Sequence, residues 1–419
     1  MRFTSFDNIP VNNDWAFENV RSIAQWTHGY HRYPAKFLPN VVKKLIEHYV
    51  SQNDVVVDLF AGCGTTLVEA KVHGIESYGT DINPIATLIT QAKITPIDNE
   101  ALTASYLQLI NQFNEYNENI VYKAITHERL DYWFRPEEKN KIAYIFTIID
   151  RISEDTHKTF FLVCLSHILK NCSWWLQSST KPQKDPHKNI PDPFATFKMH
   201  CQQMLKSNLE FESELKAINR VGTICEIHQE DARHTSFANE SVDAIITSPP
   251  YVTSYEYADI HQLTGYWMEY FNDITLFRKQ FIGTSYSDNR VIKDTGSKLG
   301  NHIVKKLYTK DKHIAYDVAN YFSDMNDVAK EMIRILRNNG VACIVIGNTT
   351  LKEIHVKSAE VFYTQLKANG FKKVEIIKRN IPHKLMPTLR DKNTGKFTSH
   401  SNANCKEVYP DEYIIIVKK

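Results

Sequence analysis

Between residues 54 and 81 the chain leaves itself little choice of fold. "DVVVDLFAGCGTTLVEAKVHG" reads as a buried strand, Val55 to Phe60, a glycine-bearing turn, and a helix from Thr65 to Val72. "ESYGTDINPIATLITQAK" repeats the plan, with a strand from Ser77 to Asp81 and a helix from about Pro84. Strand, helix and strand at this spacing open a right-handed parallel α/β unit.

The rest of the chain can be placed around that unit. Ahead of it, apolar residues at 41, 42, 45, 46 and 49 predict a helix from Pro39 to Tyr49. From residue 94 to 220 helical periodicities dominate, as in "EKNKIAYIFTIIDRI" and "KTFFLVCLSHILKNCSWWL", with the proline-laden "STKPQKDPHKNIPDPF" between helical parts. Strands resume in "GTICEIHQEDA" and "SVDAIITSPPY". "MNDVAKEMIRILRNNGVACIVIGN" adds a helix, a glycine stop and a strand, and "GFKKVEIIKRN" with "EYIIIVKK" predicts a closing antiparallel pair. The expected organisation is a discontinuous α/β domain, 1–93 and 221–419, split by a helical insertion, 94–220.

Charge narrows the partners. Fifty Lys and Arg against 48 Asp and Glu leave a net +2, so a polyanion must be met by local patches and not by a global field. Two such patches exist. Val291 to His313 carries six lysines against two aspartates, and Lys378 to Lys396 carries six basic residues against one aspartate. Both are polar and glycine-bearing and read as loops, and 272–315 reads as a basic insertion in the α/β domain. The seven cysteines contain no CxxC pair, which argues against a zinc site or a disulfide framework. With no long apolar run and no signal-peptide layout at the start, a cytoplasmic protein is expected.

In "DLFAGCGTT", Gly62 and Gly64 stand where strand becomes helix, so a ligand can lie on bare backbone amides. Asp81, at the end of the second strand, can accept from two ribose hydroxyls. Together they imply an adenosine-containing cofactor. A nicotinamide dinucleotide would want a third glycine, and Leu67 occupies that position.

"DLFAGCGTT" resembles the first motif of the S-adenosylmethionine-dependent methyltransferases. "TSPPY", Thr247 to Tyr251, is similar to the fourth motif of the DNA amino-methyltransferases: Asp, Asn or Ser, then Pro-Pro and an aromatic. "GTDINP" and "EDAR" match the second and third motifs, and "HRYPAKF" resembles the element beside the methionine end of the cofactor. The segments "YEYADIHQLTGYWMEYF" and "FIGTSY" are similar to site-specific methylases, often of the cytosine-N4 type.

The resemblance implies a Rossmann-like seven-stranded α/β methyltransferase fold with a largely helical insertion. It assigns S-adenosylmethionine to Tyr33, Pro34, Lys36, Asp58, Phe60, Ala61, Gly62, Gly64, Thr65, Thr66, Asp81, Ile82, Asp231, Ala232 and Ser248. Asp231 is expected near the adenine amino group. The long insertion falls before the third motif, whereas the family commonly places its recognition domain between the third and fourth.

The catalytic assignment is Ser248, Pro249, Pro250 and Tyr251. No Pro-Cys dipeptide is present, so attack on cytosine C5 through a cysteine is not expected. An exocyclic amino nitrogen has its lone pair delocalised into the ring. Acceptors on its N–H groups draw it toward tetrahedral geometry and free that pair. Ser248 Oγ and the carbonyl of Pro249 or Pro250 can be those acceptors, and Tyr251 offers a ring for a flipped base.

Tyr255, Tyr257 and His261 are read equally as helix packing or base-pocket lining. Trp133, Phe134 and Ser173 to Trp175 are read as insertion core. Cys63 is read as packing in the loop, and His28 and His31 lack further ligands for a metal.

The expected function is methyl transfer from S-adenosylmethionine to a base amino group in double-stranded DNA. Cytosine N4 is favoured over adenine N6, in a bacterial or phage modification system with a separately encoded restriction endonuclease. Transfer to an RNA amino group, or a non-catalytic nucleic-acid-binding protein on a methylase fold, are the alternatives. The two basic loops are expected to grip phosphates, and the insertion with 272–315 to recognise the target.

Overall fold

Helix α1 (Pro39–Tyr49) starts on a proline, which is favoured in a first turn, and lays Val41, Val42, Leu45 and Ile46 against one face of a sheet. Strand β1 (Val55–Asp58) follows, then α2 (Thr65–His73), β2 (Glu76–Asp81) and α3 (Pro84–Ile94), which Asn83 caps through its side chain. β1 and β2 run parallel with Val56 beside Ser77. In the computed structural model, residues 3–18, 24–34, 36–122, 127–179, 181–252, 256–288, 290–381, 389–391, 398, 401–407 and 411–419 are described.

Between α3 and the next strand the described chain is helical: α4 (Asn99–Asn111), α5 (Glu128–Trp133), α6 (Pro136–Asp150), α7 (Asp155–Leu169) and α8 (Pro193–Ala217). These helices share a core with α3 and with Tyr30 and Tyr33. Trp133 and Trp175 stack inside it at 5.2 Å, and Phe134 is buried there too.

The strands then resume with β3 (Cys225–Gln229) and β4 (Val242–Thr247). Three short helices follow, α9 (Tyr257–Ile260), α10 (Gln262–Trp267) and α11 (Ile274–Arg278), then the longer α12 (Lys298–Lys310) and α13 (Lys312–Ile335). Strand β5 (Leu336–Ile346), a small hairpin of β6 (Thr349–Leu351) and β7 (Ile354–Val356), and α14 (Ser358–Ala368) lead to β8 (Lys372–Asn380). A second small pair, β9 (Leu389–Asp391) and β10 (Cys405–Glu407), precedes the last strand, β11 (Asp411–Lys418).

Seven strands form one sheet in the order β3-β2-β1-β4-β5-β11-β8. β11 runs antiparallel to both neighbours, with Ile415 beside Ile344 and Ile376, and so forms the expected closing pair with β8. The central strands are apolar on both sides because helices cover both faces. This is the Rossmann-like α/β fold expected from the sequence. Strand order reverses between β1 and β4, and ligands of open α/β sheets bind outside the carboxyl ends of the strands at such a switch point.

One expectation fails here. The basic stretch 291–313 is not simply a loop: α12 occupies residues 298–310, and α13 begins at Lys312. Ser297 caps α12 by accepting from the Gly300 N–H, and Leu299, Ile303, Val304 and Leu307 form a buried stripe on the core. The lysines between them face outward, and their density hid the helical period. Of the other basic stretch, residues 382–388, 392–397, 399 and 400 lie outside the described residues. Among the described residues no helix is long and apolar enough to cross a membrane.

Candidate active site

The turn after β1 is built on two left-handed glycines, Gly62 at φ 53° and Gly64 at φ 75°, a region that side chains avoid. Gly64 closes the turn by donating to the Ala61 carbonyl at 2.7 Å, and it caps α2. Beneath the turn, Asp58 ends β1 with both oxygens engaged. It accepts from Thr66 Oγ1 at 2.7 Å, Thr247 Oγ1 at 2.6 Å and the Phe60 N–H at 3.0 Å. The Thr247 bond ties the end of β1 to the end of β4, across the switch point. Burial pushes the Asp58 carboxyl up to about 6 despite these donors.

Asp81, at the end of β2, accepts from the Gly62 N–H and the Asn83 N–H, each at 2.9 Å. Burial raises it to about 6 as well. A carboxylate offers about four lone-pair sites, so two remain free for a diol. Asp231 stands opposite on the loop after β3. Burial raises its pKa, but the hydrogen bonds and charge of Arg233 outweigh this and hold it below the usual carboxylate range.

The Ser-Pro-Pro-Tyr corner follows β4 directly. Ser248 donates its hydroxyl hydrogen to the Val345 carbonyl of β5 at 3.1 Å. With that hydrogen committed to the sheet, the oxygen meets any further partner as an acceptor. Pro249 is buried, and the Pro250 carbonyl accepts from Tyr321 Oη at 2.9 Å. The Tyr251 ring lies on Gly347, where a Cβ would stand 2.9 Å from it, and its hydroxyl donates to Glu412 Oε2 at 2.8 Å.

A cleft of about 840 Å³, its open mouth included, runs across the ends of β1, β2 and β4. From the candidate residues the cleft gathers Tyr33, Lys36, Asp58, Phe60, Ala61, Gly62, Thr65, Asp81, Ile82, Asp231, Ala232, Ser248 and Pro250. Pro34, Gly64, Thr66, Pro249 and Tyr251 are not in its lining. Of these, Gly64 and Thr66 act from below, through the turn and through Asp58.

Tyr257, Phe37, Glu230 and the run Gln280 to Ile282 also line the cleft. Sequence reasoning left Tyr257 open and did not select the others. Glu230 adjoins Asp231 in "EDAR" and Phe281 opens "FIGTSY", so a signal was present for both. Gln280 had none.

Further candidates fall nearby or behind. Cys63 is buried and also lines the cleft. Lys36 reaches the His28 carbonyl at 3.2 Å, and burial together with Lys93 lowers its amine to about 8. His28 bonds Glu69 at 2.8 Å, and His31 bonds Ser166 at 2.9 Å. His261 is buried 5.0 Å from the Tyr33 ring, while Tyr255 lies outside the described residues.

The cleft fits S-adenosylmethionine by its donor set. Asp81 has acceptor sites for a ribose diol, Phe60, Ile82 and Ala232 give apolar surface for a purine, and Lys36 offers a cation for the amino-acid carboxylate.

Comparison with known proteins agrees. A family described as DNA methylase, of the N6/N4 kind, matches residues 4–91, which include the glycine turn and Asp81. Type II methyltransferase M.MvaI of Kocuria varians is 27% identical, over 96% of this chain and 94% of its own. Type II methyltransferase M.MjaII of Methanocaldococcus jannaschii is 22% identical, over 84% of this chain and 79% of its own. Type II methyltransferase M.BsoBI of Geobacillus stearothermophilus is 27% identical over 57% of this chain and 52% of its own. The chain is thus similar to DNA amino-methyltransferases over most of its length, and these findings support an enzyme of that kind whose methyl donor is S-adenosylmethionine.

Proposed function

We propose that this enzyme methylates the N4 amino group of a flipped cytosine in duplex DNA, as the modification half of a bacterial or phage restriction-modification system. A separately encoded endonuclease would be its counterpart, in the cytoplasm. The observation that carries the reading is the Ser248 hydroxyl, turned by Val345 into a committed acceptor at the cleft that also holds Asp81 and Gly62.

The chain's part in the reaction is positioning. Asp81, Lys36 and Asp231 hold the donor, which supplies an electrophilic methyl on a sulfonium. Ser248 Oγ accepts one amino N–H. The Pro250 carbonyl already has a donor in Tyr321, so the Pro249 carbonyl is the second acceptor in this reading. These two bonds draw the nitrogen out of conjugation, and Tyr251 supports the base from the side. As the N–C bond forms the S–CH₃ bond breaks, and the donor would leave as the neutral thioether. The methylated amine, now cationic and acidic, gives its proton to water, so no strong base is required. Catalysis then rests on alignment and fixed dipoles.

For the duplex, the helical insertion with 272–315 serves recognition, and the exposed lysines of α12, Lys298, Lys305, Lys306 and Lys310, grip phosphates.

Tritiated-methyl transfer to unmethylated duplex DNA, followed by nucleoside digestion, tests this. Label in N4-methylcytosine is expected. Label in N6-methyladenine would move the substrate to adenine, and label in RNA alone would overturn the DNA assignment.

A further inference from the structure

The Ser-Pro-Pro-Tyr corner is gripped from behind by residues far from it in sequence. Tyr321, buried in α13, donates to the Pro250 carbonyl. Tyr251 donates to Glu412, which is 8% exposed on β11. Glu412 in turn pairs with the guanidinium of Arg379, 2% exposed and directly opposite it on β8. Arg379 reaches further to the Ala16 carbonyl at 3.5 Å. Replacing a buried ion pair by apolar residues is often neutral or stabilising, so stability alone does not account for this pair.

We propose that Tyr321 and the Arg379–Glu412 pair are positioning residues for methyl transfer. The pair fixes the Tyr251 ring through its hydroxyl, and Tyr321 fixes the Pro250 carbonyl. The inference rests on the amino-methyltransferase reading of the corner. Glu412 touches neither donor nor base; it acts through Tyr251. The ring is trapped between that bond and Gly347, which leaves no room for a side chain beneath it. Its plane is therefore set by the closing antiparallel strands. Tyr321 holds the second peptide of the corner in one rotation, which leaves the Pro249 carbonyl free to face the amine.

The test is a double-mutant cycle on full-length enzyme with unmethylated duplex DNA. It reads the single-turnover rate at saturating donor, the dissociation constant for S-adenosylmethionine, and the melting temperature. Glu412→Gln in the wild type should slow transfer about tenfold; in a Tyr251→Phe background it should slow it less than about twofold. Tyr321→Phe should also slow transfer about tenfold. Donor affinity should stay within about twofold in every variant.

Equal slowing by Glu412→Gln in both backgrounds would overturn the inference, as would loss of donor affinity in step with rate. Should Glu412→Gln fail to fold, Tyr251→Phe and Tyr321→Phe alone decide, and unchanged rates in both would overturn it. An inactive wild type would instead overturn the functional reading on which it rests. The inference alone fails if the wild type is active and the losses are additive.

Discussion

Replacing Asp81 by Asn probes the donor site with the least disturbance of shape. The carboxylate makes two bonds to backbone N–H groups and keeps two acceptor sites. An amide has one acceptor oxygen and a donor NH₂, so one or two of the four contacts lose their partner. Hydrogen bonds to a charged group contribute roughly 1.5–3 kcal/mol each, so a loss of about 2–4 kcal/mol is expected, or roughly 30- to 1,000-fold in donor affinity.

The pH dependence gives a second handle on the same residue. Burial raises the Asp81 carboxyl to about 6, and the ionised form is the one that accepts from a diol. Wild-type affinity should be flat above pH 7 and weaken about tenfold by pH 5. Asp58 titrates near 6 as well, but its donors already occupy it, so Asp81→Asn should remove most of the slope.

Calorimetric titration with S-adenosylmethionine at pH 5.0, 6.0 and 7.5, beside thermal unfolding of each protein, makes the measurement. A variant that binds within threefold of wild type, or wild-type affinity unchanged from pH 7.5 to 5.0, would refute the ribose role.

Three further outcomes are expected. Ser248→Ala should slow single-turnover methyl transfer about 10²-fold, the order seen when a fixed polar contact to a reacting group is deleted, while donor affinity stays within about threefold; a rate within a few-fold of wild type would count against the acceptor. Gly64→Ala places a Cβ 2.7 Å from Thr90 Cγ2 at a left-handed φ, so denaturant unfolding should show a loss of about 1–3 kcal/mol, and Thr90→Ser should restore part of it. Burial raises the Glu69 carboxyl from 4.5 to about 8, beside a His28 that burial lowers well below 6.5. An acid with a raised folded pKa binds more protons when native, so stability should fall by up to about 2 kcal/mol from pH 6.5 to 8, and Glu69→Gln should flatten the fall; a rise over that window would contradict it.

Much of this could be read locally. The glycine pair needs a left-handed backbone whatever surrounds it, and Asp81 ends a β-strand by simple alternation of strand and helix. The boundaries of α1, and the start of α3 at Pro84, come from apolar spacing and proline at the first turn. The basic stretch shows the limit of that approach. Its stripe at 299, 303, 304 and 307 was in the sequence, but polar density concealed it until a core existed for it to cover.

The available chemistry is written locally along the chain: a glycine turn, an acidic strand end, and a serine before two prolines. Each depends on the intrinsic geometry of a few adjacent residues. How they meet is set by the folded sheet. The strand order sets β4 beside β1, which brings Thr247 onto Asp58, and β5 beside β4, which turns Ser248 into an acceptor. It also brings Gln280, Tyr321 and Glu412 to the corner from 30 to 160 residues away. Those contacts are long-range pairings of a folded sheet, and no local propensity encodes them.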